Sequence, residues 1–332
     1  MKETITSACR FFLENDFFVV GIHANPDGDC FGSACGLCSA LKNLGKKAYI
    51  LSPDPIPKRL EFLNYSDIKI FAGTSGFEEV NKPGKVFVTV DVASNHLLGE
   101  LSAIFEEKNA YAIDHHSNNT IVSKKLLVNS KSSAAGELIF GIIKELEEWA
   151  NESIIDKAVA GSLFGAISSD TGCFKYSNVT PETHRIAAEL IEKGIDSADI
   201  NYRLFDLKSP RQIACEGYAY GNIEFFEDGK ISFIYISDDI LSKIGASQSD
   251  TETVSQIGRG IEGVQVAAFM RDKGEGAYKI SVRSNNDADM AQLCASFGIG
   301  GGHKKAAGCT LFTDSPEKAK EMFLDKAKSY LE

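Results

Sequence analysis

The acids and histidines of this chain fall at places where they could hold metal ions. His23 closes the apolar run FFVVGIH at 17–23, and the following HANPDGD puts Asp27 and Asp29 in the next turn. Asp91 closes VFVTVD, Asp114, His115 and His116 close AYAIDHH, and Asp170 follows a helical stretch in SSDTGCF. Hydrolysing a phosphodiester at neutral pH needs a nucleophile and a way to stabilise charge on the attacking and leaving oxygens. Two divalent ions about 3.5–4 Å apart supply both, and they bring the pKa of bound water toward about 7. Holding two ions takes several carboxylates, one of which can bridge, and a few neutral imidazoles. A mixed carboxylate and imidazole shell suits manganese better than a thiolate shell would, with zinc, cobalt and magnesium as competitors.

Each of these residues also has an ordinary structural reading. Asn-Pro-Asp-Gly forms a turn without any metal. An Asp after a buried strand commonly caps a helix, and a His-His pair at a strand end commonly faces solvent. The combination weighs against that reading, because four separate segments would have to bring acids or imidazoles to one edge by accident.

The elements that must position them alternate. Strand-like runs stand at 17–23, 47–51, 86–91 and 110–116, with helical patterns at 30–44, about 96–107, 133–149, 154–169 and 181–193. That alternation predicts an α/β fold with a parallel sheet and helices on both faces. If the strands are parallel, the acids and histidines at their carboxyl ends open on one edge, where ligands bind in such folds. Residues 194–215 read as a helical or irregular connector broken at Lys208-Ser209-Pro210. Beyond it the pattern changes. GNIEFF and KISFIYIS flank Glu227-Asp228-Gly229 as a hairpin. VQVAAFM at 264–270 and YKISVRS at 278–284 flank a Gly-containing turn, and a charged helix closes the chain at 315–331. The expected organisation is a catalytic, metal-binding domain at 1–193, a linker at 194–215 and a smaller α/β domain at 216–332.

Composition narrows the partners. The 332 residues carry a formal net charge of −11. Residues 216–332 hold 13 basic and 18 acidic residues, so neither domain is basic. A protein that tracks long duplexes needs a basic stripe along the phosphates, and none is expected here. A short anionic substrate remains compatible, because bound cations supply positive charge locally. The apolar runs are strand-sized, too short to span a bilayer. The N-terminal segment shows no signal-peptide pattern, and eight irregularly spaced cysteines suit reduced thiols. The expectation is a cytoplasmic protein without membrane contact. A homodimer is compatible with the composition, but no apolar face for one can be located in the sequence.

At the metal-binding residues the sequence strongly resembles the DHH phosphoesterase family, named for the tripeptide that stands here as Asp114-His115-His116. HANPDGD resembles the first motif of that family, VTVD the second and SSDTG the fourth. VRSNN at 282–286 and GIGGGHKKAAG at 298–308 resemble the type 1 DHH-associated domain, so the likeness spans nearly the whole chain. Within the family it looks most like the small stand-alone oligoribonucleases (nanoRNases) and pAp phosphatases.

The resemblance implies that His23 and Asp27 bind one metal, that Asp29, His115 and Asp170 bind a second, and that Asp91 bridges them. A hydroxide between the ions would be the nucleophile, with Asp29, Asp91, His115 and His116 forming the catalytic set. His116 would face the scissile phosphate, and Asp114 would support a neighbouring group. In the second domain Gly300-Gly301-Gly302-His303 would form a loop that brings backbone amides and His303 to the phosphate or sugar. Ser284 would line the same place, and the planar fork of Arg283 suits a second phosphate. Ile299 interrupts what is often an unbroken glycine run. The implied substrates are short single-stranded oligonucleotides, dinucleotides such as pApA, or pAp. They would bridge an inter-domain cleft that closes about residues 194–215.

Three other readings compete. Cys30, Cys35 and Cys38 have the C-x4-C-x2-C spacing of an iron–sulfur ligand run, but the next cysteine is Cys173, and FGSACGLCSALKNLG reads as a helix whose small residues pack on the sheet. A non-catalytic nucleotide-binding protein would have lost ligand residues, and every expected position here carries one. A pyrophosphatase or exopolyphosphatase would share the first-domain motifs but match poorly after residue 215.

Overall fold

A computed structural model describes residues 3–331, with His303 described by its backbone alone. The chain divides into two compact units, Met1–Leu207 and Lys208–Glu332. The first is built on strands β1 (Phe17–Gly21), β2 (Lys47–Ser52), β3 (Ile70–Ala72), β4 (Val86–Val90), β5 (Asn109–Asp114) and β6 (Leu126–Val128). All pair in parallel in the order β3-β2-β1-β4-β5-β6. Strand order reverses between β1 and β4, and in open parallel sheets the crevice beyond such a reversal is where ligands sit. His23 and Asp91 follow those two strands.

The helices of this unit are α1 (Ile5–Glu14), α2 (Gly28–Asn43), α3 (Gly73–Val80), α4 (Ser102–Lys108), α5 (Ala135–Ala150), α6 (Lys157–Asp170), α7 (Pro181–Glu192) and α8 (Ser197–Asn201). They cover both faces, as the alternation predicts. Phe18, Val20, Val88 and Tyr111 point into one core with residues of α1, α2, α5, α6 and α7. Val19, Leu51, Phe87 and Ala112 point into the other, with Val80 of α3, Leu98 from the turn before α4, and Phe105 of α4. Successive residues of a strand face opposite ways, so nearly continuous apolar runs such as FFVVG suit a sheet buried on both sides.

The structure refines one packing expectation. The glycines of α2 face another helix, while its Ala34, Cys35, Cys38 and Ala40 share the core with the sheet. Gly28, Gly32 and Gly36 lie four residues apart on one helix face, and they let α2 approach α6. A Cβ at Gly32 would stand 2.7 Å from the carbonyl oxygen of Ser162, and one at Gly28 would stand 2.4 Å from Ser169 Oγ. That contact brings the carboxyl end of α6, with Asp170, to the amino end of α2, with Asp27 and Asp29. Cys30, Cys35 and Cys38 are buried in the same helix among core side chains.

The second unit carries β7 (Glu224–Phe226), β8 (Ile231–Ile236), β9 (Val266–Gly274), β10 (Ala277–Ser284), β11 (Gly300–His303) and β12 (Ala306–Phe312). They lie in the order β11-β12-β10-β9-β8-β7, antiparallel except for β8 beside β9. The helices are α9 (Pro210–Gly221), α10 (Asp238–Lys243), α11 (Val254–Ile257), α12 (Met290–Ala295) and α13 (Pro316–Ala327). One sheet face buries Met270, Ile280 and Val282 with α12 and α13. The other buries Ile234, Ile236 and Phe269 under α9, α10 and α11. The hairpin turn between β7 and β8 places Glu227, Asp228 and Gly229 all at positive φ. Residues 194–215 are largely helical, and the division between the units falls inside them. The glycine run also differs from expectation: Gly300–His303 is an edge strand paired with Ala306–Cys309, not a loop. No helix among the described residues is long and apolar enough to cross a membrane.

Candidate metal centre

The carboxyl edge of the parallel sheet gathers the predicted residues. His115, just past β5, points Nε2 at three carboxylates from three other segments: Asp91 at 3.5 Å, Asp29 at 3.7 Å and Asp170 at 3.7 Å. Asp29, His115 and Asp170 can offer one donor atom each within 4.8 Å of one another, and so can Asp91, His115 and His116. His23 lies on the other side of Asp91 and forms a third such group with it and Cys30. Asp91 therefore belongs to two groups that the remaining histidines, His23 and His115, do not share.

Each side chain is positioned by local structure. Asp27 is the N-cap of α2, with Oδ1 accepting from Cys30 N at 3.0 Å and standing 3.9 Å from His23 Nε2. His23 is oriented through Nδ1, 2.8 Å from the carbonyl of Ala24. Asp29 is buried in the first turn of α2. It accepts from Ser33 Oγ at 2.9 Å, Ala135 N at 2.7 Å and Gly136 N at 3.0 Å. The last two are opening amides of α5, whose own N-cap, Ala134, has no side chain that can cap. Helix N-termini leave such donors unsatisfied, so Asp29 caps a helix 106 residues further along the chain. Asp91 sits at φ +58, a left-handed conformation that an Asp tolerates better than most residues.

Sequence reading missed Asn119 and Asn178, and it read Cys30 as helix packing without placing it beside Asp91. Asn119 donates through Nδ2 to Asp114 Oδ2 and to the carbonyl of Val92. Asp114 also accepts from His115 N at 2.8 Å and from His116 Nδ1 at 2.7 Å. Asn178 donates to the carbonyls of Ser133 and Asp170, tying α6 to the loop before α5. A side-chain amide in a loop carries no periodicity to announce it. Cys30 bonds the carbonyl of Val90 at 3.5 Å; its burial first, then the charge of Asp91, raises the thiol well above its ordinary pKa. Cys30 is buried among core side chains beside Asp91.

Charge is crowded here. Burial first, then neighbouring carboxylates, pushes Asp91 well above the usual carboxylate range. Burial likewise raises Asp29 against the opposing His115 charge and amide bonds, and burial and the Asp29 charge raise Asp170 to about 7. Asp114 goes the other way. Burial would lift it, but the hydrogen bond and charge of His116, with Asn119 and His115, hold it low. Burial opposes charging of His116, and the bond to Asp114 outweighs that and raises it. The two form an ion pair.

These residues fit divalent cations. Asp91 is 3% exposed, yet its Oδ1 has no hydrogen-bond partner, and an ionised carboxylate without compensation is costly to bury. The donors are hard oxygens with imidazole nitrogens, and a bound cation would turn their mutual repulsion into coordination.

A pH dependence follows for protein stripped of metal by a chelator. A carboxyl whose pKa is higher folded than unfolded binds more protons in the folded state, so its contribution to stability falls as pH rises between the two values. Asp29, Asp91 and Asp170 act in that direction, Asp170 up to about 7. The raised His116 adds to the loss as it deprotonates above its unfolded value; the lowered Asp114 makes its own change in acid, as pH falls. The thermal midpoint in chelator should therefore drop from about pH 5 to about pH 8, and the gain on adding manganese should be largest at the alkaline end. A metal-induced gain independent of pH would contradict the idea that cations replace protons at these acids.

The substrate-contact residues expected in the second unit lie on two strands of one sheet, β10 and β11, with β12 between them. Arg283 and Ser284 end β10, and Gly301 and Gly302 belong to β11. Arg283 Nη1 donates to the carbonyl of Val282 at 3.0 Å, and Ser284 Oγ to that of Asn286 at 3.2 Å. The contact expected of the His303 side chain lies outside the described residues.

Comparison with known proteins agrees with both halves. Residues 17–167 match the model of the DHH family, N-terminal domain, and residues 230–332 match the DHHA1 domain. A bifunctional oligoribonuclease and PAP phosphatase NrnA from Thermus thermophilus is 31% identical, over 94% of this chain and 89% of its own length. The protein of that name from Bacillus subtilis is 25% identical over 93% of each. The crystal structure of an exopolyphosphatase-related protein from Bacteroides fragilis superposes with a TM-score of 0.88 at 26% identity, covering 98% of this chain and 96% of that one. The match at 31% identity along nearly the full length of both chains, with the Asp and His cluster at the carboxyl edge of the sheet, places this chain in the DHH family.

Proposed function

We propose that this chain is a metal-dependent phosphoesterase that hydrolyses short oligonucleotides to mononucleotides and removes phosphate from pAp. The observation that carries the reading is the single imidazole nitrogen of His115 facing three carboxylates from three separate segments. The names of the full-length relatives support the substrate class. His23, Asp27, Asp29, Asp91, His115 and Asp170 would hold two divalent cations, manganese being the ion best suited to the donor set, with Asp91 between them. Divalent cations there stabilise charge on phosphoryl oxygens and acidify water.

The other residues orient and hold protons. Asp29 is fixed by its three hydrogen bonds, so its carboxylate keeps one orientation. Asp114 commits Nδ1 of His116, and the proton that this pairing retains on the ring is carried at Nε2, where it can meet a phosphate or leaving-group oxygen. Residues 216–332 would serve as the substrate-binding part, with Arg283, Ser284, Gly301, Gly302 and His303 as contacts.

The test is a panel of di- to pentanucleotides, pAp and pyrophosphate with manganese present. Mononucleotide release from pApA should exceed phosphate release from pyrophosphate; the reverse order would end the reading. Arg283→Ala should raise KM for nucleotides by about 10–100-fold, the cost of a lost charged hydrogen bond. Manganese binding, followed by calorimetry, should persist in that variant.

A further inference from the structure

One face of the second sheet carries cations that nothing so far uses. Residues two apart on a strand share a face, so Lys279, Ser281 and Arg283 line one side of β10. Residues directly opposite on neighbouring strands share that face too. Lys279 stands opposite Arg271 of β9 and Thr310 of β12; Ser281 stands opposite Gly308. The helices on this side bury Ile234, Ile236 and Phe269 of β8 and β9. Lys279 and Gly301 are exposed, and Ser281 and Gly308 are half-buried.

The arrangement is unfavourable as it stands. Two cations face each other across a strand pair, where like charges repel. The Lys279 ammonium has no hydrogen bond or ion pair among the described residues. Arg271 is half-buried, and Nη1 donates only to neutral oxygens, the carbonyl of Gln248 and Thr251 Oγ1, each at 3.1 Å. The acidic charge acting on it is that of Glu252. Partial desolvation, then the charges of Arg271 and Lys273, pulls Lys279 below its ordinary pKa. A second observation points the same way. Thr310 stands directly opposite Lys279 and Ser281 lies two residues along from it, so two hydroxyl-bearing residues share the face with the two cations.

We propose that Lys279, Arg271 and the Thr310 and Ser281 hydroxyls form an anion subsite that binds a phosphate of a nucleotide chain extending beyond the one held by Arg283. It rests on the oligonucleotide reading above. Lys279 and Arg283 are four residues apart on one strand, about 13–14 Å at some 3.4 Å per residue. A chain of several nucleotides laid along β10 spans that distance. The small side chains between them, Ser281 and Gly308, leave room for a backbone to lie against the sheet. A subsite of this kind would make affinity rise with chain length, by backbone contacts indifferent to sequence.

The test is binding of a pentanucleotide and of a dinucleotide to the full chain, in chelator so that nothing is hydrolysed, with Lys279→Ala, Lys279→Glu and Thr310→Val. Lys279→Ala should weaken the pentanucleotide about 10-fold more than the dinucleotide and lower the salt slope for the longer ligand by about 0.7, one phosphate contact on a single strand. Lys279→Glu should widen that ratio and Thr310→Val should move it the same way. The thermal midpoint of Lys279→Ala should be no lower than that of the unaltered protein, because a like-charge pair is relieved. Equal weakening of both ligands, or none, would overturn the subsite, as would an unaltered protein that binds the two lengths equally. If the chain failed to cleave dinucleotides with manganese yet kept a Lys279-dependent length effect, the hydrolytic reading would fall and the subsite would stand.

Discussion

Asp91→Asn should abolish hydrolysis of every substrate and at the same time raise the stability of the metal-free protein. Both effects come from one carboxylate. Asp91 is shared between the His23 side and the His115 side of the cluster, so removing its charge weakens both proposed cation sites. A loss of at least about 1000-fold in kcat, or about 4 kcal/mol of barrier, is the expected scale. Without metal, however, the same carboxylate is buried, has an oxygen with no partner and is surrounded by other acids. Replacing a buried charge of this kind by a neutral group of the same shape commonly stabilises. Asn also tolerates the left-handed backbone at this position, which Ala would strain. In chelator near pH 8 the midpoint should rise by roughly 2–6 °C. The manganese-induced rise seen in the unaltered protein should disappear. An Asp91→Asn protein that is less stable than the parent in chelator would refute the account of Asp91 as a strained ligand.

Asp29→Ala should lose activity to a similar degree with the opposite effect on stability. Its carboxylate faces His115 and so takes part in the same cluster, but it also satisfies the opening amides of α5 and the Ser33 hydroxyl. Ala would leave buried backbone donors unpaired at about 1–3 kcal/mol each, so a destabilisation of about 2–5 kcal/mol is expected, with or without metal. Denaturant unfolding in chelator reads this directly. The pair of variants separates two roles that activity alone cannot, since both would be inactive. Were Asp29→Ala as stable as the parent, Asp29 would not be the cap of α5, and the rigidity attributed to its carboxylate would have to come from elsewhere.

The second unit makes a complementary point about charge. The whole chain is acidic, so its composition gives no reason to expect a long basic stripe. Net charge says nothing about a local pair of cations, because alternation along β9 and β10 sorts neighbours in sequence onto opposite faces. Asp272 is next to Arg271 in the chain, yet it accepts from the Tyr235 hydroxyl and the Asp238 amide on the other side.

Read alone, the sequence determined the architecture of the first unit and the identity of its cluster. Apolar runs of strand length ending in Asp or His, separated by helical patterns, specify a parallel sheet with its acids at one edge, because pleat and helix periodicity are local properties of the chain. Tertiary structure decided what each acid does besides. That Asp29 caps α5, that Asp170 arrives through glycine-mediated contact of α2 with α6, and that the glycine run pairs as an edge strand all depend on partners far away in sequence. The same holds for Lys279 facing Arg271, which follows from strand register. Such pairings are set by packing and register, and no local periodicity encodes them.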